Sequence, residues 1–138
     1  MEFDFGKWNA NIYKFNSIDE VDLGLLAKNS RNLIEVQNSG APIHFLIGNI
    51  EVGKSLVVGF SGALSNRNPN IKPPFFSFLS LANELNLPFL LISDPSLYLS
   101  KDLKLSWYAG NHKYINVQSD SASLIDKGSK EYEMTPIP

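Results

Sequence analysis

The sequence predicts an α/β domain of three layers, built on a mostly parallel sheet with antiparallel strands at its N-terminal edge. Two observations lead to this fold class. The second half of the chain alternates strand-like and helix-like segments, the pattern of parallel strands joined by crossover helices. The first half contains aromatic and apolar runs separated by short turns, which favours antiparallel strands. The chain has the length of one domain, so residues 1–138 are predicted to form a single unit.

The composition excludes several classes of function. Hydrophobic residues make up 43% of the chain and charged residues 19%, which suits a packed core and not a disordered tail. A net charge of −2 with both signs interspersed provides no basic face for nucleic acid. The sequence has no cysteine, two distant histidines and no apolar run near the roughly 20 residues of a membrane span. We therefore expect no disulfide, metal site, cofactor, nucleic-acid partner or membrane span, and a cytoplasmic location.

Three segments form the predicted N-terminal part of the domain. Aromatic and polar residues alternate over residues 3–15, which favours an edge strand or an antiparallel strand pair. Ser17 and Glu20 form a capping-box pattern before apolar residues at helical spacing, so a short helix is predicted within residues 17–30, interrupted or capped near Gly24. The apolar runs "NLIEVQN" and "PIHFLIGN" then predict strand, turn and strand.

The next predicted elements are a strand, a loop and a helix. The strand covers "KSLVVGFSGAL", and the asparagines and prolines of "SNRNPNIKPP" predict a loop after it. An apolar stripe with helical spacing predicts a helix over residues 75–86. Its members are Phe75, Phe78, Leu79, Ala82 and Leu85.

The last predicted elements complete the strand and helix alternation. The continuous apolar run in "LPFLLISD" is typical of a buried parallel strand. Residues 95–111 hold no single period. Residues 115–132 predict a helix with one face formed by Ile115, Gln118, Ala122 and Ile125 and weakened by a glycine at 128.

The stretch "GNIEVGKS", residues 48–55, fits the phosphate-binding pattern G-x-x-x-x-G-K-[ST]. A phosphate-binding loop needs a helix directly after Lys54, because the helix N-terminus supplies the donors that hold the phosphates. The valines of "SLVVGF" favour a strand there, so we interpret the stretch as a turn between two antiparallel strands. A small nucleotide-binding protein is the alternative. Asp94, which ends the next strand, is either a turn or cap residue or part of a site at the sheet edge.

Ser61, Asp94 and His112 occur in the chain order of a hydrolase triad, and "GFSGA" is close to the nucleophile pattern G-x-S-x-G. A nucleophile elbow turns from a strand into a helix, whereas an asparagine- and proline-rich loop follows Ser61. A serine esterase or acyltransferase that uses Ser61 is therefore an alternative function. His112 is interpreted as a loop residue and His44 as a strand residue without a catalytic role.

Three stretches, "LVVGFSGAL", "PPFFSFLSLANELNLPFLLISDPSLYL" and "LSWYAGN", resemble the first half of bacterial α/β-hydrolase-like proteins found with surface-polysaccharide synthesis and accessory secretion. The resemblance covers roughly residues 43–138. It implies that "FSGA" follows the third strand of the hydrolase sheet and that Ser61, Gly62 and Ala63 occupy the oxyanion-type loop. It also implies that the helix over residues 116–132 precedes the nucleophile strand, and that "MTPI" begins that strand.

The sequence stops where the resemblance places the nucleophile elbow. The expected protein is thus a truncated α/β-hydrolase fold, catalytically incomplete, which acts through assembly or binding and is linked to surface-polysaccharide modification. In that arrangement "LVVGF" or "FLLIS" would form an edge of the sheet. We therefore expect a homo-oligomer, or a partner chain that supplies the missing strands.

Overall fold

The computed structural model of the protein describes residues 2–38, 41–60, 70–95, 98, 117–131 and 135–137. Within these residues the chain forms one sheet of six strands and two α-helices, which confirms the α/β class. The strands are β1 (Asn11–Phe15), β2 (Asn32–Asn38), β3 (Ala41–Gly48), β4 (Ser55–Phe60), β5 (Phe89–Ser93) and β6 (Thr135–Ile137). The helices are α1 (Leu79–Leu85) and α2 (Val117–Glu131). The strand order is β1-β2-β3-β5-β4-β6.

The sheet is mixed, and the antiparallel strand lies inside it. β3 runs antiparallel to both of its neighbours, β2 and β5. The pairs β1 with β2, β5 with β4, and β4 with β6 are parallel. The prediction of antiparallel strands at the N-terminal edge is therefore wrong in position, because β1 is parallel to β2. Residues 16–31 provide the crossover that a parallel pair requires.

β3 and β4 do not form the predicted hairpin, because β5 lies between them and pairs with both. All five residues of β5 are buried, so a central position covers its apolar side chains on both faces. The expectation that "LVVGF" or "FLLIS" forms an edge is also wrong. The edge strands of the described sheet are β1 and β6.

The segment predicted as the first helix forms two 3-10 turns, Ile18–Glu20 and Leu23–Leu25. Ser17 makes no side-chain capping bond. The first turn closes at Val21, whose N–H donates to the Ile18 carbonyl, and the Asp22 carboxylate caps the second turn by accepting a hydrogen bond from the Gly24 N–H at 3.0 Å. Two short capped turns thus stand where one helix was predicted.

Both α-helices differ in detail from their predictions. α1 begins only at Leu79, because Phe78 has a left-handed backbone with φ of 71°. Of the predicted stripe, Phe78 and Leu85 are exposed, whereas Phe75 and Ala82 are buried.

In α2 the buried residues are Ser121, Leu124 and Gly128, and Ala122 is exposed. The buried face is therefore turned by one residue from the predicted one. Gly128 faces Leu23, and a Cβ built at this glycine lies 3.9 Å from Leu23 Cδ1.

Successive strand residues point to opposite faces of the sheet and feed two apolar clusters. One cluster joins alternate strand residues such as Ile34 and Phe45 to Leu124 of α2 and to the 3-10 turns. The other joins Leu33, Leu46 and Phe89 to Ala82 of α1 and to the N-terminal segment. The sheet is thus packed on both faces.

Residues 2–8 form an N-terminal segment that lies along residues 72–74. The Asp4 N–H donates to the Pro73 carbonyl at 2.8 Å, and the Trp8 indole donates to the Pro74 carbonyl at 3.3 Å. Phe5 and Trp8 pack against the second cluster. This segment therefore covers the sheet face that carries the site described below.

Two glycines allow a matched test of this packing. A Cβ at Gly48 would lie 2.6 Å from Cζ of the fully buried Phe89 ring, so Gly48→Ala is expected to lower the free energy of unfolding by about 1–3 kcal/mol. Gly128→Ala adds a Cβ at ordinary contact distance inside a helix and is expected to raise it by about 0.5–1 kcal/mol. Urea unfolding of both variants measures these changes. Equal effects of the two substitutions would contradict the packing at Gly48.

Candidate functional site

A row of polar side chains crosses the sheet on the face that carries the second apolar cluster. Lys14 of β1 is in register with Glu35 of β2, Glu35 with His44 of β3, and His44 with Ser93 of β5. Glu35, His44 and Ser93 are buried, whereas Lys14 is exposed. Three neighbouring strands thus place one buried polar residue each at the same level of this face. Tyr98, which follows β5, completes the set and is also buried.

Hydrogen bonds join these side chains into one continuous chain. The Phe75 N–H donates to Ser93 Oγ at 2.9 Å, and Ser93 Oγ lies 2.8 Å from Tyr98 Oη. Tyr98 Oη lies 2.9 Å from His44 Nδ1, and His44 Nε2 lies 3.3 Å from Glu35 Oε1. We call Glu35, His44, Ser93 and Tyr98 the polar row. Every member is paired, as buried polar groups require.

An ionised Glu35 fixes the direction of every bond in the polar row. A carboxylate can only accept, so the hydrogen on His44 lies on Nε2 and its Nδ1 accepts from the Tyr98 hydroxyl. Tyr98 Oη then accepts a hydrogen bond from the Ser93 hydroxyl, and Ser93 Oγ accepts one from the Phe75 N–H. All donors therefore point towards the carboxylate. The Lys14 ammonium, 3.7 Å from Glu35 Oε2, balances its charge.

The protonation of this pair follows from its surroundings. Burial lowers the pKa of His44, and this effect exceeds the opposing influence of Glu35. The hydrogen bond from His44 is the main cause that lowers the pKa of Glu35. Both shifts favour a neutral imidazole beside a carboxylate at neutral pH, which agrees with the direction of the hydrogen bonds.

Aromatic rings cover the polar row. The rings of Phe3 and Phe5 lie 4.7 and 5.3 Å from the His44 ring, measured between centroids. Phe3 also contacts the Tyr98 ring edge-on at 5.3 Å, and Phe75 lies 6.4 Å from Tyr98. His44 and Ser93 have no exposed surface. An acid, a base and two hydroxyls are thus brought together, but behind a layer of aromatic side chains.

The polar row crosses the middle of β2 and β3 and reaches the carboxyl end of β5 at Ser93, the end of an open α/β sheet where sites are usually built. Asp94 follows Ser93 directly and is also buried, so the structure places it at the same end of the sheet. The other predicted site residues, Ser61, Gly62, Ala63 and His112, lie outside the described residues. The predicted Ser61, Asp94 and His112 triad therefore remains a prediction.

The stretch with the phosphate-binding pattern contains no helix. The residues after Lys54 form strand β4, as the valines predict. Lys54 is exposed and lies 3.9 Å from Glu51 in a surface ion pair. Gly53 has a φ of 81° and serves a turn, while Gly48 ends β3 against the Phe89 ring. These glycines have backbone and packing roles in the described chain.

Sequence reasoning missed the polar row because it assigned His44 to a strand and gave it no role. A signal was present, since Glu35 and His44 each lie between apolar residues and Ser93 ends a continuous apolar run. Such residues are costly to bury alone, so they indicate a shared network. Their register could not be read from the sequence, because it depends on β5 lying between β3 and β4.

The rest of the described chain adds no second cluster of this chemistry. No group of three or more His, Asp or Glu residues that could hold a metal ion occurs among residues 2–38, 41–60, 70–95, 98, 117–131 and 135–137. No helix within the same ranges is long and apolar enough to cross a bilayer. No family model, curated protein or solved structure matches this chain.

Lowering the pH is expected to destabilise the protein through His44. Its pKa in the folded protein is below the ordinary 6.5, so the unfolded chain takes up the proton first. The stability contributed by neutral His44 is complete above 6.5 and is lost as the pH falls through the folded pKa. Glu35 acts in the same direction below its ordinary 4.5. Urea unfolding between about pH 7.5 and 5.5 measures the loss, which is at most about 1.4 kcal/mol per pH unit for one proton.

The variant His44→Gln provides the control for this experiment. It removes the buried titrating group and retains His112, so the pH dependence in the same range should become smaller. A wild-type free energy of unfolding that does not change over this range would contradict a neutral, buried His44.

Nucleotides are expected not to bind at residues 48–55, because a strand and not a helix N-terminus follows Lys54. Calorimetric titration with magnesium and ATP or GTP should show no heat of binding, in the wild type and in Lys54→Ala alike. Micromolar binding that Lys54→Ala abolishes would overturn this interpretation.

Proposed function

We propose that this protein is an α/β-hydrolase-like domain that acts through binding or assembly and not through catalysis at the polar row. The observation that carries the proposal is the complete burial of His44 and Ser93. A general base must come within hydrogen-bond reach of a reacting group, and a substrate has no access to either side chain beneath Phe3 and Phe5. The polar row then serves to hold the domain together.

The strand order supports the hydrolase-like part of the proposal. If β2 is counted as the first strand, the order β2, β3, β5, β4 and β6 becomes first, second, fourth, third and fifth. The second of these strands, β3, is antiparallel to its neighbours. This is the arrangement of the α/β-hydrolase sheet. β4 is then its third strand, and β6, which α2 precedes, is the strand that leads to the nucleophile. The apolar clusters on both faces support a three-layer domain.

A serine esterase or acyltransferase that uses Ser61 is the second candidate. One observation favours it: β4 and β5 are parallel neighbours, and Phe60 is in register with Ile92. β4 and β5 therefore finish at the same end of the sheet, where α/β enzymes build their sites, and Asp94 follows β5 there. In this candidate Ser61 is the nucleophile of a triad with Asp94 and His112.

Assembly is the mode of action that the sheet edge supports. β6 pairs with Ser55–Val57, and β4 continues to Phe60, whose side chain is 42% exposed. Pro136 has no backbone N–H, so β6 is a short edge strand with one donor fewer than its length provides. A second copy or a partner chain would pair with β6 and contact the exposed part of Phe60. The cytoplasmic location and the link to surface polysaccharides belong to the same proposal and rest on the resemblance.

A fluorophosphonate probe followed by mass spectrometry distinguishes the two candidates, because it labels activated serines. The binding domain should show no labelled serine. Labelling of Ser61, abolished in Asp94→Asn and retained in Glu35→Gln, would establish the second candidate. Labelling of Ser93 would show that a small molecule reaches the polar row, and would overturn the role proposed for it.

Light scattering coupled to size exclusion, over a wide range of concentrations, tests assembly. Oligomers are expected, and Phe60→Glu should shift the population towards the monomer because it places a charge at the proposed contact. Val52→Glu is the matched control, since Val52 is an exposed residue of similar exposure in the loop before β4. A monomer at every concentration, with and without a candidate partner, would contradict the assembly proposal.

A further inference from the structure

A surface cleft lies at the opposite end of the sheet from Ser93 and Asp94. It has a volume of about 490 Å³ and is open to solvent. Its walls come from the segments before β1 and β2, from the loop after β3 and from α1. These are the amino ends of the parallel strands, so the cleft is separate from the end that carries Ser93 and Asp94. We call it the asparagine cleft.

Amide side chains dominate the asparagine cleft. Five asparagines line it, together with a single charged residue: Asn9, Asn11, Asn29, Asn49, Asn83 and Arg31. Backbone geometry explains two of these asparagines, because Asn9 and Asn49 have left-handed φ values of 50° and 52°, which asparagine tolerates. Asn29 lies in a turn, which asparagine also favours. Asn11 and Asn83 have no such reason, and Asn83 lies in a helix, where asparagine is unfavourable.

Hydrogen bonds fix the walls of the asparagine cleft relative to one another. The Asn11 N–H donates to the Arg31 carbonyl at 2.9 Å, and Arg31 Nη1 donates to the Trp8 carbonyl at 3.1 Å. The Asn49 amide donates to the Leu87 carbonyl at 3.3 Å and so joins the loop after β3 to the segment before β5. A cleft whose walls are already joined is largely formed before a ligand binds.

We infer that the asparagine cleft binds a neutral, hydroxyl-rich ligand of the size of an oligosaccharide. Each amide carries both donors and an acceptor, so five amides match hydroxyl groups, which also donate and accept. The described residues that line the cleft include no carboxylate, which a metal ion of the calcium type would need. The arginine among them provides too little charge for a polyphosphate. These described walls also lack the large apolar side chains that a lipid or aromatic ligand would require.

NMR titration of the ¹⁵N-labelled protein tests this inference with maltohexaose, cellohexaose and chitohexaose as probes. At least one probe is expected to shift the side-chain amide signals of Asn29 and Asn83, with a dissociation constant on the order of millimolar. The double variant Asn29→Ala/Asn83→Ala should weaken that binding about tenfold or more, since it removes two hydrogen-bonding groups. Ser80→Ala, on the exposed surface of the same helix, is the matched control and should bind as the wild type does.

Two results would overturn the inference. One is the absence of any shift at these amides with all three oligosaccharides. The other is tighter binding of inorganic phosphate at Arg31 than of any sugar, which would make the cleft an anion site. The backbone amide spectrum of each variant reports whether it is folded. The inference does not depend on the proposed function, because the cleft lies at the opposite end of the sheet from Ser93 and Asp94.

Discussion

The polar row is the constraint on which the rest of the structure depends. Glu35, His44 and Ser93 are buried on one face of the sheet, and burying such groups without partners costs several kcal/mol. The cost is offset only when β2, β3 and β5 are neighbours in the observed register and Tyr98 bridges His44 and Ser93. The row therefore excludes other registers, because a shift of one residue would turn its members to the opposite face.

The same row explains the course of the N-terminal segment. Both nitrogens of the neutral His44 ring are already bonded, and the rings of Phe3 and Phe5 pack against it in tilted orientations. Phe75 contributes twice, through its N–H to Ser93 and through its ring beside Tyr98. Residues distant in the sequence thus meet around the polar row. The asparagine cleft carries exposed amide side chains, so the domain has one buried and one exposed group of polar residues.

The sequence predicted elements better than their arrangement. Strands β2 to β5 were recognisable because apolar runs between turn residues depend on local patterns. The pairing of β5 with β3 was not, since it is a long-range contact that removes the expected β3 to β4 hairpin. The helix predicted within residues 17–30 does not form; two 3-10 turns take its place, and Asp22 caps the second. At the site, Asp94 was singled out for its position after a strand, but the partners of His44 became visible only with the strand order.

The polar row forms one continuous chain of hydrogen bonds, and a double-mutant cycle between Ser93 and Glu35, at its two ends, tests this continuity. Among the described residues, Ser93 and Glu35 are linked through Tyr98 and His44 and do not bond to each other. Ser93→Ala and Glu35→Gln, singly and combined, would be compared by urea unfolding at about pH 7.5, where the row is fully formed. The account predicts a coupling energy of about 0.5 kcal/mol or more. Strict additivity of the two substitutions would contradict it.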